Sequence, residues 1–285
     1  MKTLFTFLLS LFITWFGFGQ EEKTLLFSIK GKDTKPSYLF GTVHMIADTA
    51  YYFPAKLDKT LSKADQLVLE IDESIADRAK AQKMLMLDSG NVFDQFSKEQ
   101  ADSIIQWGSS LLGMKPEAFE KNFSGMKPFV LMQIGVQAMM NARSKSYEME
   151  LMSKANANKQ PIKGLETMES QFAIFENMEA ADVTEMIMEG IRHPEKAAEM
   201  QRELVKLYVD KDVEGLAKLI TESDDMGQSS EELLFQRNRN WIPLMTDFMK
   251  THSCFFAVGA GHLGGEQGVI QLLKDAGYTV TPIVY

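Results

Sequence analysis

The sequence predicts an α/β fold: a central, mostly parallel sheet formed by two strand-GxxH-helix-strand halves, with a large helical insertion between them. Three observations predict it. The stretch Ser253 to Leu263, SCFFAVGAGHL, is an apolar run of strand-forming residues that ends in Gly259, with His262 three positions later. Near the front the same order recurs, as Tyr38-Leu39-Phe40 runs into Gly41-Thr42-Val43-His44. Each of these motifs is then followed by a helical stretch and a second strand. A strand that closes on glycine puts the next residues on a turn at the carboxyl edge of a sheet, which is where α/β folds place their ligands. One GxxH carries no information. Two in the same context direct both histidines into one cleft.

The chain opens with Lys2, an apolar run from Leu4 to Phe16, and Gly17 and Gly19 flanking Phe18. A basic start, a core too short to span a bilayer and a small-x-small site are the layout of a signal peptide over residues 1–19. Residues 20–285 then form one domain. Thr24 to Ile29 reads as a strand, Gly31 to Pro36 as a turn, and Ser37 to Phe40 as the returning strand. Pro54 marks a helix start, with Leu57 and Leu61 on one face. The nearly continuous apolar run of Gln66-Leu67-Val68-Leu69-Glu70-Ile71-Asp72 fits a strand covered on both faces, so a parallel crossover brings Glu70 to the sheet edge of His44. The helical insertion covers about residues 74–250. Within it Ser97 and Gln100 form a capping box, and Pro116 and Pro128 sit in first helical turns. A short strand near residues 161–165 interrupts it and delivers Glu166. The last long helix carries Leu234 and Trp241 on one face, with Arg237 near the same side. That arginine either reaches water past an apolar stripe or enters an acidic cleft. The strand Ser253 to Val258, the His262 loop, a helix from Glu266 to Ala276 and a strand from Thr279 to Val284 repeat the order of residues 37 to 71.

Composition narrows the function. At 285 residues and 45% hydrophobic content the chain can bury one substantial core with an inserted lobe. The single cysteine, Cys254, lies inside a strand run, so it rules out both an intramolecular disulfide and lipid attachment next to the signal. Export without disulfides suits a periplasmic or secreted protein. A net charge of −9 without a lysine-arginine stripe argues against nucleic acid as a partner, and nothing after the signal calls for a membrane. The nineteen methionines, at helical spacing, read as core filler. His193 and His252 read as surface residues.

His44, Glu70, Glu166 and His262 are two imidazoles and two carboxylates, each at the carboxyl end of a strand. That set suits a divalent cation such as Zn, Mn or Co, which would activate water against a peptide or a small ester or amide. The same groups can work without a metal, with a glutamate-oriented histidine as general base and Arg237 stabilising the oxyanion. The residues leave both routes open. No G-x-S-x-G elbow, H-E-x-x-H helix or P-loop is present, and the glycines at 259, 261 and 264 have the wrong spacing for a dinucleotide loop. A ligand-binding alternative places haem in the same cleft, with Tyr38, Tyr51 or Tyr52 as axial group.

Five segments carry a resemblance: Leu39-Phe40-Gly41-Thr42-Val43-His44, Leu67 to Asp72, Gly164-Leu165-Glu166-Thr167 with Gln171, Arg237-Asn238 with Trp241, and Val258 to Leu263. On these the chain resembles the TraB/PrgY/GumN family, of the GumN type, within the superfamily of the Tiki metalloproteases, erythromycin esterases and haem-binding ChaN proteins. The resemblance implies an α/β core with a helical insertion and a hydrolase site at His44, Glu70, Glu166, Arg237 and His262. Its members differ in metal use. Ser146-Tyr147-Glu148-Met149-Glu150-Leu151 stands where many relatives carry a glycine-hydrophobic-aspartate run, which leaves open whether Glu148 joins the site.

Overall fold

Alternation along the strands decides which side of the sheet each residue serves. In the computed structural model, which describes residues 23–72, 78–139, 143–176, 178–222 and 230–285, six strands form one sheet. The signal segment predicted at residues 1–19 lies outside the described residues. The chain begins with β1 (Leu26–Lys30), β2 (Ser37–Thr42), β3 (Ile46–Ala47), α1 (Ala55–Leu61) and β4 (Gln66–Ile71). The insertion follows as α2 (Arg78–Met84), α3 (Lys98–Leu112), α4 (Pro116–Phe123), α5 (Pro128–Met139), β5 (Ser144–Lys145), α6 (Tyr147–Ala157), β6 (Ile162–Glu166), α7 (Met168–Glu176), α8 (Ala180–Arg192), α9 (Pro194–Val209), α10 (Val213–Thr221) and α11 (Gln236–Thr251). Then come β7 (Cys254–Gly259), a 3-10 turn at Ala260–His262, α12 (Val269–Asp275) and β8 (Thr279–Pro282).

The sheet order is β6-β4-β7-β2-β1-β8. β6, β4, β7 and β2 pair in parallel, while β1 runs antiparallel to both β2 and β8. The mostly parallel sheet expected from the sequence is therefore present. Its two halves interleave, because β7 slots between β2 and β4 and β8 pairs with β1 at the far edge. Leu26, Phe40, Leu67, Leu69, Phe255 and Ala257 face one core with Leu57, Leu61, Tyr147, Leu151 and Tyr208. The alternating Phe27, Leu39, Val68, Phe256 and Val258 face the other, closed by Trp241, Met245, Met249, Val269 and Leu273. Helices thus cover both faces, and each fully buried phenylalanine contributes about 1.5–3 kcal/mol.

The insertion owns a third core, of Val92, Phe93, Ile104, Phe119, Leu131, Val183 and Ile187. Ser97 and Gln100 do form the capping box that starts α3, and Gly113 ends that helix in the left-handed region. The methionines divide. Met188, Met245 and Met249 are core residues, whereas Met149 is 67% exposed.

Several element boundaries differ from expectation, among them β7, which runs Cys254–Gly259 rather than Ser253–Val258. The last helix starts at Val269 rather than Glu266, because Gly268 has an extended backbone (φ −74°, ψ 155°) and serves as its N-cap. The last strand stops at Pro282 rather than Val284, and beyond it the Ile283 amide still donates to the Leu26 carbonyl at 2.8 Å. The first begins at Leu26, since the Thr24 hydroxyl turns away to bond the Ile283 carbonyl. A two-residue antiparallel pair, β3 with β5, was not expected at all.

Candidate functional site

Four parallel strands end at one edge of the sheet, and their register sets the site. Thr42 lies opposite Gly259, Leu69 opposite Ala257, and Ile71 opposite Glu166. His44 follows Thr42 by two residues and His262 follows Gly259 by three. The two GxxH turns are therefore neighbours, with Glu70 and Glu166 beside them.

Glu70 is held from several sides. Its Oε1 accepts from the Gly259 amide at 2.7 Å, and its Oε2 accepts from Gln171 at 3.2 Å and from Arg237 Nη2 at 2.5 Å. Arg237 comes from the first turn of α11, just after a π-helical turn at Glu231–Phe235, a local distortion frequent at functional sites. Its Nε donates to both oxygens of Glu166, at 2.9 and 3.2 Å, and its Nη1 donates to the Leu233 carbonyl at 2.9 Å. The arginine has thus entered the acidic cleft, the second of the two options its position allowed. Trp241, one turn on, donates its Nε1 to Glu166 at 2.6 Å and carries the guanidinium 5.0 Å from its ring centre.

The proton on His262 follows from Asn238. The amide nitrogen of Asn238 donates to the Gln267 carbonyl at 2.8 Å, so its oxygen faces His262 Nδ1 at 2.7 Å as an acceptor. Nδ1 therefore carries the hydrogen, and the bare Nε2 accepts from Arg237 Nη1 at 3.2 Å. Burial pushes this imidazole down to about 3, against the pull of Glu70, so it is neutral at neutral pH. For Glu70, burial favours the protonated form. The adjoining His262 ring, Arg237, His44 and the Gly259 amide outweigh it and hold the carboxyl down at about 2.

His44 has a different setting. Its side chain is 73% exposed, and Nδ1 lies 3.1 Å from Glu148 Oε1. That carboxylate also accepts from the Thr42 hydroxyl at 2.7 Å and, through its other oxygen, from Ser146 at 3.0 Å. The hydrogen bond to Glu148 carries the imidazole up, to about 9. Pairing of β3 with β5, Ile46 opposite Lys145, ties the residues just after His44 to those just before Glu148.

The structure gathers His44, Glu70, Glu166, Arg237 and His262 at one edge, but as two groups rather than one ring. Glu70, Glu166, Arg237 and His262 form a closed, largely buried network, while His44 stands with Glu148. The residues expected as metal ligands do not make a cage as folded. Arg237 stands among Glu70, Glu166 and His262 and takes the lone pairs a cation would need. Among the described residues no group of three or more His, Cys, Asp and Glu side chains is placed to hold a metal ion. Thr42, Ser146 and Asn238 were missed as site residues; Ser146 gave a signal, being a serine three positions before Met149 at a helix start. Of the tyrosines, Tyr51 packs on Tyr147 with ring centres 4.8 Å apart, Tyr38 is half-buried, and Tyr52 is 64% exposed. A cavity of about 1140 Å³ opens beside Glu166, Arg237 and Trp241, and its lining does not include His44.

Comparison with known proteins agrees with the resemblance. The model of the TraB/PrgY/gumN family matches residues 25–282. Two similar relatives are both described as uncharacterized protein YbaP. The one from Shigella flexneri is 24% identical over 239 residues, covering 84% of this chain and 88% of its own. The one from Escherichia coli strain K12 is 24% identical over 238 residues, covering 83% and 87%. No solved structure matches.

Proposed function

Since the chain belongs to the TraB/PrgY/gumN family, we propose that it is an exported hydrolase of a peptide or a small ester or amide. The observation that carries this reading is the His44–Glu148 pair standing at the sheet edge beside the fixed Glu70–Arg237–Glu166–His262 network. With Nδ1 held by Glu148, the exposed Nε2 edge of His44 is presented to water. Deprotonated, His44 takes a proton from that water as its oxygen attacks the substrate carbonyl, and returns it to the leaving group. Among the described residues four of the five N–H groups of Arg237 are engaged, which leaves one Nη2 hydrogen for the developing oxyanion. The network keeps that donor in place.

The resemblance also carries a metal-dependent, peptidase-like form of this reading, with Mn, Co or Zn. The donor set as folded supplies no cage for it, so the proton transfer is assigned here to the chain's own side chains. Residues 1–19 are proposed to direct export, which cell fractionation tests.

The test of the activity is turnover of a panel of peptides, esters and amides by purified protein, alongside elemental analysis. His44→Ala is expected to lower turnover by roughly 100-fold or more. If His44→Ala and His262→Ala both retain full turnover, the reading fails. Metal present in the native protein and lost in both variants would move the chemistry onto a bound cation. A visible absorption band on adding haem, without hydrolysis of any substrate, would make the cleft a ligand-binding site.

A further inference from the structure

The cavity beside the network has a composition that selects its occupant. At about 1140 Å³ it exceeds the usual volume of a small-ligand pocket and has room for several residues of an extended peptide. It shares Glu166, Arg237 and Trp241 with the site. Its remaining surface has two kinds of lining, apolar side chains such as Leu165, Ile174, Met186 and Phe248, and a row of carboxylates.

The row is a consequence of helical spacing. Asp182 and Glu189, seven apart on α8, share one face, and Glu179 stands just before it as the N-cap; the cavity uses all three as a wall. Glu185 and Glu232 add to it. Glu185 is already paired with Arg192, and Glu189 with Lys196. Among the described residues Glu179, Asp182 and Glu232 make no ion pair. Among the described lining residues Arg237 is the one cation, and it is committed to Glu70 and Glu166. A segment entering this cavity meets oily surface and uncompensated negative charge together.

We infer that the cavity is the substrate-binding cleft for a cationic, amphipathic peptide segment, with lysine or arginine side chains against the α8 row and apolar side chains on Leu165, Ile174 and Phe248. This rests on the hydrolase reading, and names its substrate class as basic peptides rather than small esters. Cleavage would add water across the peptide bond, hydroxyl to the acyl carbon and hydrogen to the leaving amine.

The experiment separates binding from turnover. A short fluorescent peptide of alternating Lys and Leu is titrated with full-length protein, next to counterparts of alternating Glu and Leu and of Ser and Leu. The basic peptide is expected to bind more tightly than either, and to weaken as salt rises. Combining Glu179→Gln, Asp182→Asn and Glu232→Gln should weaken it about tenfold, the sum expected of three exposed charge contacts. The charge-keeping Glu179→Asp, Asp182→Glu double variant should bind like the native protein, which separates charge from any disturbance of the α8 start. Equal binding of all three peptides, or unchanged binding by the neutralised variant, overturns the inference. Binding of the basic peptide without its hydrolysis leaves the cleft assignment standing and removes the activity. Hydrolysis confined to neutral esters does the reverse.

Discussion

His44 and Glu148, 104 positions apart in the sequence, meet with Nδ1 and Oε1 separated by 3.1 Å. The contact depends on the two-residue strands β3 and β5, whose pairing holds the flanks of both residues together. Because the carboxylate holds the imidazole up at about 9, His44 is protonated at neutral pH and becomes a base only in alkali. Turnover should therefore rise with pH toward about 9. Glu148→Gln should bring the His44 titration, followed by NMR of the ring, down toward about 6.5, and the rising limb of the pH profile should move with it. A limb that stays in place in this variant would remove His44 as the base. The linked stability has a fixed sign. It is complete below about 6.5 and fades as pH rises through about 9, and with a ring this exposed it is worth under about 1 kcal/mol.

Arg237 neutralises two carboxylates that have little access to water, Glu70 and Glu166, each with a side chain only 11% exposed. Arg237→Met would leave two adjoining negative charges without a partner. The expected cost is about 3–5 kcal/mol, measured as a shift in the urea midpoint. Adding Glu70→Gln and Glu166→Gln to that variant should recover a large part of the loss, since unpaired buried charge is its cause. If the single variant is as stable as the native protein, the network is not an electrostatic unit.

The sheet was legible because its signals are local. Alternating core faces at Leu39 and Phe40, or at Phe255 and Phe256, follow from period-two geometry, and a glycine closing each of these two runs marks the strand ends that carry His44 and His262, while Glu70 and Glu166 stand at or beside the ends of apolar strand runs. The pairing of His44 was not legible. β3 and β5 are two residues each, too short to leave a pattern, and Glu148 sits in the first turn of α6, where an acidic residue is expected in any helix. The direction of Arg237 stayed open for a related reason, since helical spacing gives a face and not what that face meets. The carboxylate row of α8 reads from sequence as an ordinary solvated edge. It becomes a cavity wall only because the fold makes α8 and α11 line the same cavity.

His262 makes the fold sensitive to acid. Its folded value lies near 3 because of burial, against about 6.5 in the unfolded chain. Between those limits the unfolded chain binds a proton that the native state does not, so stability is complete above about 6.5 and falls as pH drops toward 3. The slope approaches about 1.4 kcal/mol per pH unit. Glu70, held at about 2, acts in the same direction at the lower end, its stabilisation fading as pH falls from about 4.5 through 2. Chemical denaturation at a series of pH values reads the slope, and His262→Gln should flatten it between about 6.5 and 4.5. An unchanged slope in that variant would assign the acid sensitivity to other groups.

The two motif glycines are required for space and not for a left-handed turn. Neither Gly41 nor Gly259 is among the residues with positive φ, and Gly259 has φ of −52°. A Cβ on Gly41 would stand 2.7 Å from Leu263 Cδ1 and 3.1 Å from the Cα of Ala260, inside the turn that carries His262. On Gly259 it would stand 3.3 Å from Glu70 Oε1 and 3.5 Å from the His262 ring. The first contact includes backbone and the second a carboxylate clamped by Arg237, so the two substitutions fail differently. Gly41→Ala should cost about 1–3 kcal/mol, as overpacking does, with activity lost in proportion to the displaced turn. Gly259→Ala should keep nearly all the stability and lose activity, because only the carboxylate bound to its amide has to shift. Thermal unfolding and turnover on the same samples distinguish the two. Equal effects on both readouts would mean that the glycines serve the strand ends alone and that one GxxH does not make room for the other.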